Sequence, residues 1–101
     1  MCMEYYEPEN VAIFALVSRE IQIHQLKQTG VKRSFYNIQS LRVEYMIVQM
    51  TVEEHKLSGN ILLCLGTQSK MDMVSEVVAY LLAPKLEFEV IESYRWKWPE
   101  E

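Results

Sequence analysis

The sequence predicts a small α+β domain, and three observations carry that prediction. Ile13, Leu16, Val17, Ile21 and Leu26 lie near helical spacing; Met71, Val74, Val78, Leu81 and Leu82 form a second such stripe; and Leu86, Phe88, Val90, Tyr94, Trp96 and Trp98 fall on every second residue, with Glu92 as the only break. Together they give the order α-β-β-α-β. Helices then cover mainly one face of a mixed three-stranded sheet, with a long C-terminal strand at its edge.

The first helix is expected from about Pro8 to Thr29, with Pro8 suited to a first turn and Gly30 to a C-terminal stop. A strand over Val11 to Val17 is the rival reading, because that run is nearly continuous and Ile21 and Ile23 alternate with polar residues. Residues 31–40 keep no sustained period and read as a connection with a short extended piece. From Leu41 to Val52 the β-branched and aromatic residues favour a long strand, apolar on both faces in its second half. Glu53 to Gly59 is a polar turn, and Asn60 to Leu65 a short strand that makes a hairpin with its predecessor.

Gly66 breaks the run, and Ser69 stands as the cap of a second helix with Asp72 in its first turn and Pro84 as its stop. The last strand follows over 85–98. A strand–helix–strand crossover makes it parallel to Asn60–Leu65, so the two long strands are expected side by side. At about 3.3 Å per residue it reaches roughly 46 Å, more than a domain this small can shelter alone.

A chain of 101 residues, half of them apolar, is read as one domain over 1–101 with one core. Two cysteines, Cys2 and Cys64, make no disulfide framework, and no apolar run is long enough to cross a bilayer, so a soluble cytoplasmic protein is expected. The net charge of −4 is unevenly spread. Residues 19–42 hold five bases against Glu20 alone, which makes that window +4 and the remainder −8.

The C-terminal alternation makes Val90, Tyr94, Trp96 and Trp98 the expected interface residues, with Arg95 and Lys97 at the rim. Self-association is the expected partnership, or else another protein, because an open edge bearing indoles invites pairing or stacking. The function that follows is a protein-interaction or regulatory module working as a homodimer. The alternative is a nucleic-acid-contacting accessory protein using Lys27, Lys32, Arg33, Phe35, Tyr36 and Arg42, which mix bases with aromatics in an otherwise acidic chain.

Signals for chemistry are weaker. Gly66-Thr67-Gln68-Ser69 would join a strand to a helix N-terminus, but one glycine makes no dinucleotide fingerprint and no P-loop follows, so no cofactor is expected. His24 and His55 stand at no metal spacing, and no metal is expected. Cys64 reads as a small core residue, and Met46, Met50, Met71 and Met73 as core filler or an adaptable surface. Glu44 with Glu87, or Glu87 with Glu89, could share a proton across the sheet, yet no nucleophile stands beside a base. A small enzyme or ligand-binding domain with its site at a subunit seam is the third reading.

Overall fold

The computed structural model describes residues 2–99 and, toward the C-terminus, side chains as far as Lys97. Eight strands form two four-stranded sheets. The first runs β1 (Cys2–Tyr6), β2 (Val11–Ala15), β3 (Glu20–Thr29) and β4 (Lys32–Arg42); the second runs β5 (Met46–His55), β6 (Asn60–Ser69), β7 (Val74–Ala83) and β8 (Glu89–Pro99). Every pairing is antiparallel between sequence neighbours. The fold is all-β, which overturns the expected α+β class. Among the described residues the only helical pieces are single 3-10 turns at Glu7–Glu9 and Pro84–Leu86.

Where the first helix was expected, β2 and β3 form a hairpin. The turn between them carries no glycine: Arg19 takes φ +68° and donates to the Leu16 carbonyl at 3.0 Å, while the Leu16 N–H reaches the Glu20 carbonyl at 2.8 Å. Val11, Ile13 and Ala15 face the core before this turn, and Ile21 and Ile23 face it afterwards. Two short alternations separated by a four-residue turn mimic the helical period. The rival strand reading of Val11 onward matches what the residues do.

The second helix fails for a different reason. β6 and β7 are apolar on both faces, so the alternation is hidden in a continuous run. Val74, Val78, Tyr80 and Leu82 point one way, Val77, Ala79 and Leu81 the other, and the β-branched valines suit that extended geometry. Ser69 does cap, but it caps a turn: the Asp72 N–H donates to Ser69 Oγ at 3.2 Å, and Met73 closes the connection with φ +51°. Gly66 lies inside β6. Residues 31–40 belong mostly to β4, and the long strand expected over 41–52 is cut by a linker at 43–45.

With no crossover helix there is no parallel pair, and the two strands expected side by side lie apart. β5 and β8 are the opposite edges of the second sheet. Three bulges mark the ladders, with Ile38, Val48 and Ile91 as the extra residues.

One core joins the two sheets. Val11, Ile13, Ala15, Ile21 and Ile23 of the first meet Met50, Ile61, Leu63, Leu65, Val78 and Leu82 of the second, with Tyr6, Val43 and Phe88 completing the cluster. β1 runs beside β5. The linker is held down by Arg19: its carbonyl accepts the Val43 N–H at 3.0 Å, and its guanidinium donates to the Glu44 carbonyl at 2.9 Å. No helix is long and apolar enough to cross a membrane among the described residues.

Phe88 enters the core from a turn in which both Glu87 and Phe88 adopt left-handed backbone, φ 54° and 62°. Phe88→Ala is expected to destabilise the fold by about 3–5 kcal/mol in chemical denaturation, whereas Phe35→Ala, on an exposed ring, should change it by less than about 0.5 kcal/mol. Equal effects would contradict this core assignment.

Candidate interaction surface on the second sheet

The bulge at Ile91 decides which way the last strand points its side chains. Before it, Val90 pairs with Leu82 and packs against the core; after it, Glu92 pairs with Leu81, Tyr94 with Ala79 and Trp96 with Val77, all on the outer face. Val90 therefore stands on the opposite side of the sheet from Tyr94 and Trp96. The even-numbered alternation seen in the sequence is broken by one inserted residue. Trp98 pairs with Ser75 in the ladder, and its side chain lies outside the described residues.

Tyr94 and Trp96 stack with ring centroids 6.0 Å apart and planes inclined by 17°. The Tyr94 hydroxyl donates to the Glu92 carboxylate, which fixes the phenol ring beside the indole. That hydrogen bond, with the nearby charge, holds the Tyr94 hydroxyl above its ordinary pKa. Both rings remain open, at 48% and 53% exposure. They form the rim of an apolar face. Leu62, Cys64, Val77, Ala79 and Leu81 make its floor by register, and the bulged Val48 and Ile91 border its depressions.

Two of the shallow depressions on this face stand out by volume. One, of ≈ 450 Å³, is lined by Leu62, Leu81, Ile91 and Tyr94 with His55 and Asn60 at its end. The other, of ≈ 270 Å³, lies between Val48 and Val77 over Gly66, whose missing side chain keeps the floor low. Both are open apolar grooves, suited to receiving side chains of another surface. Burial pushes the Cys64 thiol up; a hydrogen bond with Thr51 opposes this and the charge of Glu53 adds to it. Cys64 is accordingly a structural thiol of the face.

Arg95 and Lys97 point to the other side. Arg95 Nε lies 3.1 Å from Glu76 Oε1, and its Nη1 3.8 Å from Glu44 of the linker. Glu76 is buried, its Oε2 has no hydrogen-bond partner among the described residues, and its backbone carbonyl accepts from Thr67 Oγ1 at 3.2 Å. Lys97 Nζ sits 5.9 Å over the Tyr45 ring. The two cations tie the edge strand to its own molecule. Burial raises the Tyr80 hydroxyl pKa; Arg95 lowers it in part and Glu76 raises it again.

The basic set is divided. Along the β3–β4 ladder Lys27, Lys32 and Tyr36 share one face, with Lys27 Nζ 5.8 Å over the Tyr36 ring, while Arg33, Phe35 and Arg42 share the other. Arg42 stands at the far end, opposite Glu20. His24 packs edge-on against Phe14 at 5.1 Å and pairs with Gln22; His55 meets Ser58 Oγ at 2.7 Å in the β5–β6 turn. Glu44 lies in the linker and Glu87 in the β7–β8 turn, so these carboxylates do not face one another across a sheet. Met50 is in the core, whereas Met46, Met71 and Met73 are exposed. Among the described residues no three His, Cys, Asp or Glu gather as metal ligands would.

No protein-family model, no curated protein and no solved structure matches the chain.

Arg95→Met leaves a buried carboxylate without its cation, and because Arg95 itself is half exposed the expected cost is discounted to about 1–3 kcal/mol in urea unfolding. A second change, Glu76→Leu, is expected to restore most of that loss. Tyr80 bears on the alkaline limit. Its folded pKa is raised, so its contribution is complete below the unfolded value near 10 and is lost as pH rises through the folded value. Stability measured across that range should fall less steeply in Tyr80→Phe than in the parent.

Proposed function

We propose that this chain is a protein-interaction module that forms a homodimer by pairing β8 with β8 of a second copy. The observation that carries this reading is an open edge strand, exposed from Ile91 to Lys97, with a stacked Tyr94–Trp96 pair at its outer side. An uncovered edge of this length offers unpaired backbone groups to any extended chain, and proteins usually shorten it, charge it or cover it. Here the two cations of the strand are turned to the face opposite the aromatic pair. Arg95 is engaged with Glu76 and Glu44, and Lys97 lies over Tyr45.

The charges along β8 favour a second copy as the occupant. With a two-fold axis at Tyr94, antiparallel self-pairing sets Trp96 opposite Glu92 and Arg95 opposite Ser93, so no like charges meet directly. The pairing extends each four-stranded sheet into a continuous eight-stranded one. Both apolar outer faces then join, and the aromatic pairs at the seam are the residue types that anchor interfaces.

Sedimentation equilibrium of the 12.0 kDa chain is expected to give twice the single-chain mass at micromolar concentration. Tyr94→Ala with Trp96→Ala should weaken the dimer by about 30-fold or more, as loss of a central hot spot does, without changing the far-ultraviolet spectrum. A single-chain mass at every concentration reached overturns the proposal.

A further inference from the structure

Beyond Ile23 and Ile38, the outer part of the β3–β4 hairpin leaves the sandwich as a two-stranded ribbon. No residue from His24 to Arg42 is buried, all of Lys27 to Arg33 are exposed, and Val31 at the tip is 100% accessible. Gly30, with φ +64°, makes the two-residue connection. The far end carries Lys27, Lys32 and Arg33, and no acid occurs between residues 21 and 43. Its cations lie on both faces of the ribbon: Lys27 and Lys32 on the face of Tyr36, with Lys27 Nζ 5.8 Å over that ring, and Arg33 on the face of Phe35.

The geometry points to this ribbon as a contact for duplex DNA, entering the major groove tip-first and neutralising phosphates on both walls. The groove is about 12 Å wide and about 8.5 Å deep and admits a two-stranded ribbon. The three residues of each strand beyond Leu26 and Phe35 extend about 10 Å, which matches that depth. A ribbon inserted in this way turns its two faces to two phosphate walls and needs cations on both. A flat acidic protein surface would meet only one of them.

The acidic remainder of the molecule opposes the approach, and distance limits its effect. Glu7 and Glu9 lie in the 3-10 turn before Asn10, whose carbonyl accepts the Leu26 N–H at 2.8 Å at the root of the ribbon. Lys32 pairs with Thr29, three residues or about 10 Å beyond that root, roughly one Debye length at physiological salt, while Lys27 stands one residue beyond it. The tip cations act on phosphates at contact distance. Binding through phosphates alone carries little sequence preference.

Fluorescence anisotropy of the full chain with a labelled duplex of about 20 base pairs, over a series of salt concentrations, tests this. Three neutralised phosphates predict a slope of log K against log salt of about −2.7. Lys32→Glu with Arg33→Glu is expected to weaken binding about 10-fold or more at the lowest salt, and Lys27→Gln to reduce the slope by about 1. All three sites are exposed, and an unchanged circular dichroism spectrum confirms that the variants fold. Absence of binding at the lowest salt overturns the inference, as does binding unaffected by the double substitution. Equal affinity for polyglutamate overturns it too, because that result assigns the ribbon to acidic polypeptides. None of these outcomes depends on whether the chain is dimeric.

Discussion

The central pair of the second sheet, β6 and β7, is apolar on both of its faces, and the rest of the structure answers that constraint. The inner side, with Ile61, Leu63, Leu65, Val78 and Leu82, is matched by the isoleucines of β2 and β3, and burying one such aliphatic side chain stabilises a fold by about 1.5–3 kcal/mol. Among the described residues nothing forms a third layer over the outer side. Leu81 and Ala79 are shielded by neighbours within the sheet, and Val77 stays open beside Trp96. An antiparallel sheet ordinarily leaves a polar face to water. This one leaves an apolar face with an aromatic rim.

The same one-residue bulge that turns Tyr94 and Trp96 outward turns Arg95 inward onto Glu76. The two consequences fix each other. A slip of one residue would withdraw the guanidinium from a buried carboxylate, at the same cost of about 1–3 kcal/mol, and would force the rings toward the linker. Register on an exposed edge strand is otherwise weakly specified, and here Val90 against the core and Arg95 on the buried Glu76 carboxylate both specify it. The edge is thereby held in one geometry while its outer backbone remains open to a partner.

How much of this could be read beforehand follows from where alternation is visible. The last strand was legible from Glu89 onward because its polar and apolar residues alternate, although the Ile91 insertion reverses the face of Val90 relative to Tyr94, and nothing in the residue types marks a bulge. The two expected helices arose from turns without glycine. Arg19 and Met73 take positive φ where Gly would have announced a hairpin, and Ser69 with Asp72 supplies cap chemistry that turns share with helices. The β-branched valines at 74, 77 and 78 were the contrary signal. β4 is hard to read because its outer part, from Lys32 to Asn37, has no buried face to impose a period, and only Ile38 and Leu41 near its end pack against the core. The pairing of Glu76 with Arg95 depends on strand order, which composition does not disclose.

The proposed dimer requires β8 to be an open edge that a second copy closes. Amide hydrogen exchange, followed by peptide across 89–97 as the protein is concentrated, tests that most directly. Protection that rises with concentration along β8, while the peptides of β4 at the far edge of the other sheet stay unchanged, is the predicted result. Exchange along β8 that is equally fast in dilute and concentrated solution would contradict it.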